Sequence, residues 1–373
     1  MSPENLFEHI VTVDNLRNAW IKAKHHAQTE AVYFDAYAYD AFEEHLEANL
    51  AALYHEILND TYHPVPLRYV TIPKGDQVRK LYFTEPRDSV VIQAVINVIG
   101  PLFEAEFSEY SFGNRLNISD RESHDIYRRW QDQYSSYVSV VRSFLNEGPD
   151  AWYLITDIEN FYPSIRLERL RGLIAAKVTD ERTLAIIELF LNLQAISLDE
   201  QLEPIEGLPA GAIYAHFFAN IYLTEFDNLA VQFTRGYARY VDDLCLVCQD
   251  KDSLTVTERV LGGYLGRWNQ GFKATKTERR SVKEWGPLID HTRKMKYARQ
   301  LDFVGALDLR PEQIEAASDA ERLFHDLYLV VEKEGDVDKL AEDAGFVISQ
   351  LRRFRAPNLD SVVYSLLETR PLT

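Results

Sequence analysis

Two adjacent carboxylates, Asp242 and Asp243, sit between strand-forming runs: Ala238-Arg239-Tyr240-Val241 precedes them and Leu244-Cys245-Leu246-Val247 follows. A third acid, Asp157, comes just after the run Trp152-Tyr153-Leu154-Ile155-Thr156, where a strand would end. Neighbouring carboxylates repel one another, and a divalent cation with oxygen preference, Mg²⁺ above all, relieves that repulsion most directly. Three acids on two neighbouring strands would hold two such ions about 4 Å apart, the geometry that stabilises the attacking and leaving oxygens of phosphoryl transfer. Taken singly, the Asp-Asp pair reads as a polar hairpin turn and Asp157 as a strand-end cap. Taken together, they ask for metal-dependent chemistry.

The elements that must position these acids follow from the pattern around them. Apolar runs on both sides of a polar pair predict a β-hairpin over 237–248 with Asp242 and Asp243 at its tip. A strand over 151–156 ends beside Asp157. Phe42, Leu46, Leu50, Leu53 and Ile57 recur at helical spacing and predict one helix over 40–60, ended by Tyr62-His63-Pro64-Val65-Pro66. Val70–Ile72 and Arg79–Phe83 predict two strands around a turn at Lys74-Gly75-Asp76-Gln77. Helical patterns cover 88–107, 167–193 with breaks, 212–233 and 254–268. Short strands are expected over 280–307 and helices from Pro311 onward. The fold class implied is α+β.

The composition of the 373 residues, 46% hydrophobic and 26% charged, is that of an ordinary globular chain. No apolar run approaches the roughly 20 residues that span a bilayer, and the first residues lack a signal-peptide plan, so a cytoplasmic setting without membrane contact is expected. Cys245 and Cys248 fall on opposite faces of one strand, which excludes a disulfide or a metal pair. A net charge of −18 is awkward for a protein that binds phosphates. Its distribution softens the objection. Residues 1–60 carry eleven acids against three bases, and residues 311–373 thirteen against seven, whereas residues 271–300 carry nine bases against three acids. A local basic strip within an acidic chain points to a polyanion. The acidic ends suggest a protein partner or self-association.

The ordered motifs resemble those of reverse transcriptases of the bacterial, group II intron-like lineage. Asp157-Ile158-Glu159-Asn160-Phe161-Tyr162-Pro163-Ser164-Ile165 is similar to the family's first catalytic motif. Gly207-Leu208-Pro209-Ala210-Gly211, continuing to Ala219–Leu223, resembles the second, and Tyr240–Asp243 the third. Lys276-Thr277 looks like the fourth and Leu301–Gly305 like the fifth. Upstream, Ile72–Lys74, Arg79–Leu81, Arg87-Asp88 and Ser111–Arg115 are similar to the fingers motifs. Their order and spacing make the joint match specific.

That resemblance implies a right-hand polymerase: N-terminal helices and fingers over 1–150, a palm over 151–310 with a return to the fingers around 167–210, and a helical thumb-like region over 311–373. It implies Asp157, Asp242, Asp243 and Lys276 as catalytic, with Lys276 protonating the leaving pyrophosphate. Mg²⁺ would be held by Asp157, Asp242, Asp243 and the backbone of Ile158. Lys74, Arg79, Tyr162, Ala210 and Gly211 would bind the nucleotide, Tyr162 by excluding a 2′-hydroxyl. Tyr240, Phe303, Gly305, Lys273, Arg279 and Arg280 would contact primer or template.

The chain departs from the family's second motif at Ala210 and Ala215, where Gln and Ser are usual. Both usual side chains lie near the templating base or the nucleotide, so the departures bear on template handling. With no nuclease motif and no evident retron signature, the chain most resembles the defence-associated (unknown-group, abortive-infection) reverse transcriptases. The expected partners are dNTPs, an RNA template, for which a dedicated non-coding RNA is one candidate, and the DNA product. Three readings remain: an RNA-directed DNA polymerase, an RNA-directed RNA polymerase or template-independent nucleotidyltransferase using the same palm chemistry, and a non-catalytic scaffold subunit of a defence complex.

Overall fold

The N-terminal third is helical because its apolar residues recur every three or four positions. Helices α1 (Leu6–Ile10) and α2 (Val13–Thr29) open the fold, and α2 buries Leu16, Ala19, Trp20, Ala23 and Ala27 along one stripe. The helix expected over 40–60 is two, α3 (Ala36–Glu44) and α4 (Leu46–Leu58). His45 leaves helical geometry, and the Asn49 side chain donates 2.9 Å to the carbonyl of Phe42 near the end of α3. The computed structural model describes residues 5–29, 35–74, 77–118, 123–197 and 201–285. Phe303, Gly305, the strands expected beyond 285 and the thumb-like region 311–373 lie outside the described residues.

Strands β1 (Arg68–Lys74) and β2 (Gln77–Phe83) form the expected antiparallel hairpin, with Ile72 opposite Arg79. Helix α5 (Pro86–Glu104) follows, apolar nearly all round and buried over most of its length, as a central core helix should be. Its buried acids have partners. Asp88 accepts from the Tyr62 hydroxyl at 2.7 Å and the Val65 N–H at 2.9 Å, while Glu104 accepts from Arg115 Nε at 2.7 Å.

Helix α6 (Trp130–Ser143) was not anticipated, since its apolar contacts narrow to Tyr137, Val138 and Val141 in an otherwise polar segment. Strand β3 (Trp152–Asp157) comes next, then α7 (Phe161–Ser164), α8 (Leu167–Ala175) and α9 (Glu181–Leu191). The α9 cap, Asp180, accepts from Thr183 N–H at 3.0 Å and from Phe7 N–H at 2.9 Å, tying α1 to this part of the chain. A short hairpin of β4 (Gln194–Ile196) and β5 (Leu202–Pro204), too brief for a sequence signal, lies against the first hairpin: Leu67 N–H donates to Gln194 O, and Lys80 pairs with Glu203 at 2.8 Å. Helix α10 (Ala215–Phe233) leads into β6 (Gly236–Tyr240) and β7 (Asp243–Cys248). Helix α11 (Lys251–Gly266), strand β8 (Glu278–Ser281) and α12 (Val282–Trp285) complete the described chain.

The main sheet runs β6-β7-β3-β8, antiparallel throughout. Period-two alternation covers both faces. Leu154, Leu244, Leu246 and Cys248 join the large core shared with α8, α10 and α11, whereas Tyr153, Cys245, Val247 and Ala238 pack beneath α6. The two cysteines are thus buried on opposite faces and are not joined by a disulfide. Among the described residues no helix is long and apolar enough to cross a membrane.

Burial holds the imidazole of His26 on α2 down at about 3 and that of His216 on α10 at about 4. Both folded values lie below the ordinary histidine range, so between about pH 6.5 and 4 the unfolded chain binds more protons than the native one. Their contribution to stability is complete above pH 6.5 and fades as the pH falls toward 4. In urea titrations at pH 7.5 and pH 5, His26→Gln should therefore lose less of its midpoint on acidification than the wild type; an equal loss would dissociate His26 from the acid response.

Candidate active site

Register decides where the acids meet. Asp157, last in β3, stands directly opposite Asp243, first in β7. Cross-strand partners share a face with Cβ atoms about 5 Å apart, so two like charges there oppose each other unless something cationic intervenes. Asp242 occupies the two-residue turn between Tyr240 and Asp243, and its carbonyl accepts the N–H of Ile158 at 3.1 Å, which draws the turn onto the end of β3. The hairpin is as the sequence predicted, but its tip lies one residue earlier, at Val241 and Asp242, and Asp243 already belongs to β7.

The carboxyls of Asp157 and Asp242 lie within hydrogen-bonding reach of each other. Burial, then the hydrogen bond and charge of Asp157, push Asp242 up to about 7. Asp157 moves the other way: burial is outweighed by its hydrogen bonds to Asp242 and Lys276 and by the charges of Lys276 and Lys273. One proton therefore serves both groups near neutrality. Asp157 Oδ1 is buried and receives no fixed donor from the protein. An orphaned buried oxygen, a shared proton and an oxygen-only donor set suit a hard divalent cation such as Mg²⁺. Among the described residues no three His, Cys, Asp or Glu side chains close into a metal cage. Two converge, and Asp243 stands at the neighbouring register position.

Lys276 reaches the same carboxylates. Its ammonium is hydrogen-bonded to Asp157 Oδ2, and although burial opposes its charge, Asp157, Asp243 and Asp242 together hold its pKa above the ordinary lysine range. The backbone N–H of Lys273 donates 2.7 Å to Asp157 O, so the segment after α11 is laced onto β3.

The turn that carries Asp242 is held in an unusual shape. Val241 adopts φ +57°, a left-handed conformation that β-branched residues avoid. Two contacts impose it. A Cβ on Gly113 would come within 2.7 Å of the Val241 nitrogen, so only glycine lets that loop pass. Arg239 Nη1 donates 2.8 Å to Val241 O. That guanidinium also binds Asp227 through Nε and Nη2, each at 2.7 Å, Ser111 Oγ at 2.6 Å and Asn220 Oδ1 at 3.1 Å, while Asn220 donates to the carbonyls of Gly113 and Asn114. Sequence reasoning assigned no role to Arg239, Asp227 or Asn220. The available signal was an arginine within an apolar strand.

Ala210 and Gly211, two of the residues expected on the nucleotide side, lie against β2. Ala210 O accepts the N–H of Tyr82 at 2.8 Å, and Gly211, at φ +97°, lies so close to β2 that a Cβ would stand 2.8 Å from Tyr82 O. Tyr162 in α7 is buried with its hydroxyl bonded to His216 Nδ1, and the charges of Asp242 and Arg79 both act on it. Lys74 belongs to β1 opposite Gln77, and its side chain lies outside the described part of the structure.

Three of the residues expected on the primer side make contacts within the protein. Arg279 and Arg280 pair with Leu154 and Tyr153 and so project from opposite faces of β8. Arg279 Nε binds Glu258 of α11 at 2.7 Å, while Arg280 faces Glu278 at 3.6 Å, so the two do not line one basic surface. Tyr240 sits edge-on to Tyr134 of α6 at 5.1 Å between centroids, which makes it in part a packing residue of the α6 face.

The sequence profile described as reverse transcriptase (RNA-dependent DNA polymerase) matches residues 72–306. The chain belongs to the reverse transcriptase family. This reverse transcriptase is 26% identical to Protein YkfC of Escherichia coli (strain K12) over 196 residues, 52% of this chain and 49% of that protein. It is 27% identical to an uncharacterized 91 kDa protein in the cob intron of Schizosaccharomyces pombe, over 46% of this chain and 19% of that one. A putative COX1/OXI3 intron 1 protein of Saccharomyces cerevisiae is 25% identical over 44% of this chain and 18% of its own length. The chain thus spans about half the length of the first relative and under one fifth of the others. The match runs from Ile72 in β1 through β2, the main sheet and the helices between them, and includes all three acids.

Proposed function

We propose that this reverse transcriptase is an RNA-directed DNA polymerase that extends a 3′-hydroxyl with dNTPs at Asp157, Asp242 and Asp243. The observation that carries the reading is the register pair Asp157–Asp243 with Asp242 in the intervening turn, three acids at one sheet end inside a family match. Asp157 and Asp242, with Asp243 and the backbone of Ile158 beside them, would hold two Mg²⁺ ions. Bound there, the ions supply activation of the 3′-hydroxyl and neutralisation of the triphosphate. Lys276, kept protonated by the surrounding carboxylates, is set to give its proton to the leaving pyrophosphate. The charge of Arg79 acts on Tyr162, and in this reading its guanidinium would grip the triphosphate bidentately.

The test is primer extension by the purified full-length chain with Mg²⁺ on a primed RNA and on whatever RNA copurifies with it. Product absent from both, with folded protein, overturns the reading. In this reading the Tyr162 ring excludes a 2′-hydroxyl, and Tyr162→Val should admit ribonucleotides; discrimination unchanged from wild type would remove the steric-gate role.

The reading extends to a dedicated small RNA and a bacterial antiphage setting, supported by the departures at Ala210 and Ala215 within an otherwise intact motif set. Sequencing the copurifying nucleic acid tests that extension. A single abundant small RNA supports it, and a random transcript population argues against it.

A further inference from the structure

Tyr162 is held from an unexpected side. His216, in the first turn of α10, meets it with ring centroids 5.6 Å apart and planes at 76°, and the Tyr162 hydroxyl is bonded to His216 Nδ1. Behind His216 stands Tyr127, edge-on at 6.0 Å, whose own hydroxyl donates 3.0 Å to Ile213 O just ahead of α10. Behind Tyr127 stands His26 of α2, at 5.9 Å. The gate ring therefore ends an aromatic row that starts on the N-terminal helices. None of the sequence motifs contains His26, Tyr127 or His216 in a role.

We propose that His216 is a positioning residue for sugar selection: its Nδ1 accepts the Tyr162 hydroxyl proton and so fixes the ring that confronts the nucleotide's 2′-position. The inference rests on the polymerase reading given above. Protonation states agree with it. Burial, and then the charge of Arg79, keep the imidazole neutral down to about pH 4, and burial keeps the phenol protonated, so the O–H donates to Nδ1 in the tautomer that carries its ring proton on Nε2. On the other side of Tyr162 the backbone is fixed: its carbonyl accepts Leu208 N–H at 2.9 Å, and Gly207 packs against it. The remaining freedom is rotation of the side chain, which the hydroxyl bond removes. A ring that must separate hydrogen from hydroxyl at one carbon has to be placed to within a fraction of an ångström.

Single-nucleotide incorporation by the full-length chain, with Mg²⁺ and a DNA primer on an RNA template, compares a dNTP with its matching rNTP. His216→Phe removes the acceptor and Tyr162→Phe the donor. Each should narrow the dNTP preference about 3- to 10-fold, the worth of one neutral hydrogen bond, through KM rather than kcat. The double variant should lose no more than either single, and His216→Asn, whose amide oxygen accepts the same bond, should restore most of the preference. Wild-type selectivity in His216→Phe, additive losses in the double variant, or no rescue by Asn would overturn the proposal. If the wild type adds neither nucleotide, the polymerase reading itself fails, and the contact is judged by ¹⁵N-histidine NMR. Tyr162→Phe must then move the His216 Nδ1 resonance, and an unmoved resonance overturns the contact as well.

Discussion

Asp157→Asn is expected to lower DNA synthesis by about 10²- to 10³-fold or more while leaving the protein at least as stable as the wild type. The two halves of that expectation come from one arrangement. Asp157 is 4% exposed, opposite Asp243 in register and in hydrogen-bonding reach of Asp242, so the site concentrates negative charge that the fold does not otherwise need. An asparagine has the same shape, and its amide can donate to Asp242 where a carboxylate cannot. The carboxyl of Asp242, held at about 7 largely by burial and by Asp157, should then titrate closer to its ordinary range. Lys276 loses one partner but keeps the charges of Asp242 and Asp243. What disappears is the anionic oxygen set that suits a divalent cation. Thermal melts run beside primer extension separate the outcomes: near-normal synthesis by a folded Asp157→Asn protein would remove these acids from the chemistry.

The acids and their hairpin were legible because their signals are local. An apolar run, a polar pair and a second apolar run specify strand, turn and strand within twelve residues, and the register that pairs Asp157 with Asp243 follows once β3 and β7 adjoin. Helix α5 was legible for a similar reason, being apolar over almost its whole surface. The break at His45 was hidden because apolar spacing continues through it: Phe42 and Leu46 keep the helical interval on either side. Helix α6 shows too thin an apolar stripe, and three-residue strands such as β4 and β5 have no period to detect. The charge count over 271–300 found a basic strip, but strand alternation then sent Arg279 and Arg280 to opposite faces, which a count along the chain ignores. The supports of the site were the least visible part. Asp227, Asn220, Ser111 and Arg239 come from α10, the loop before α6 and β6, and only tertiary structure brings them together.

Arg239→Met is expected to destabilise the fold by about 3–5 kcal/mol in urea titrations, a loss as large as any single substitution here should produce. Arg239 and Asp227 are each 1% exposed at the side chain and bonded twice to one another, so removing the guanidinium strands a buried carboxylate that, among the described residues, retains the Tyr237 hydroxyl at 2.7 Å. Stranding is the larger part of the cost, because a buried pair compared with an apolar pair of similar volume is close to neutral. Replacing both groups, as Arg239→Met with Asp227→Leu, should therefore recover much of the stability even though one more polar group has gone. It should not recover synthesis. Arg239 Nη1 is the donor to Val241 O, and with Gly113 it keeps Val241 left-handed and Asp242 turned toward Asp157. A refolded double variant whose hairpin relaxes to ordinary turn geometry would carry all three acids and still misplace one of them. A single variant that loses less than about 1 kcal/mol, or a double variant that synthesises DNA at the wild-type rate, would show that the turn keeps its shape without this network.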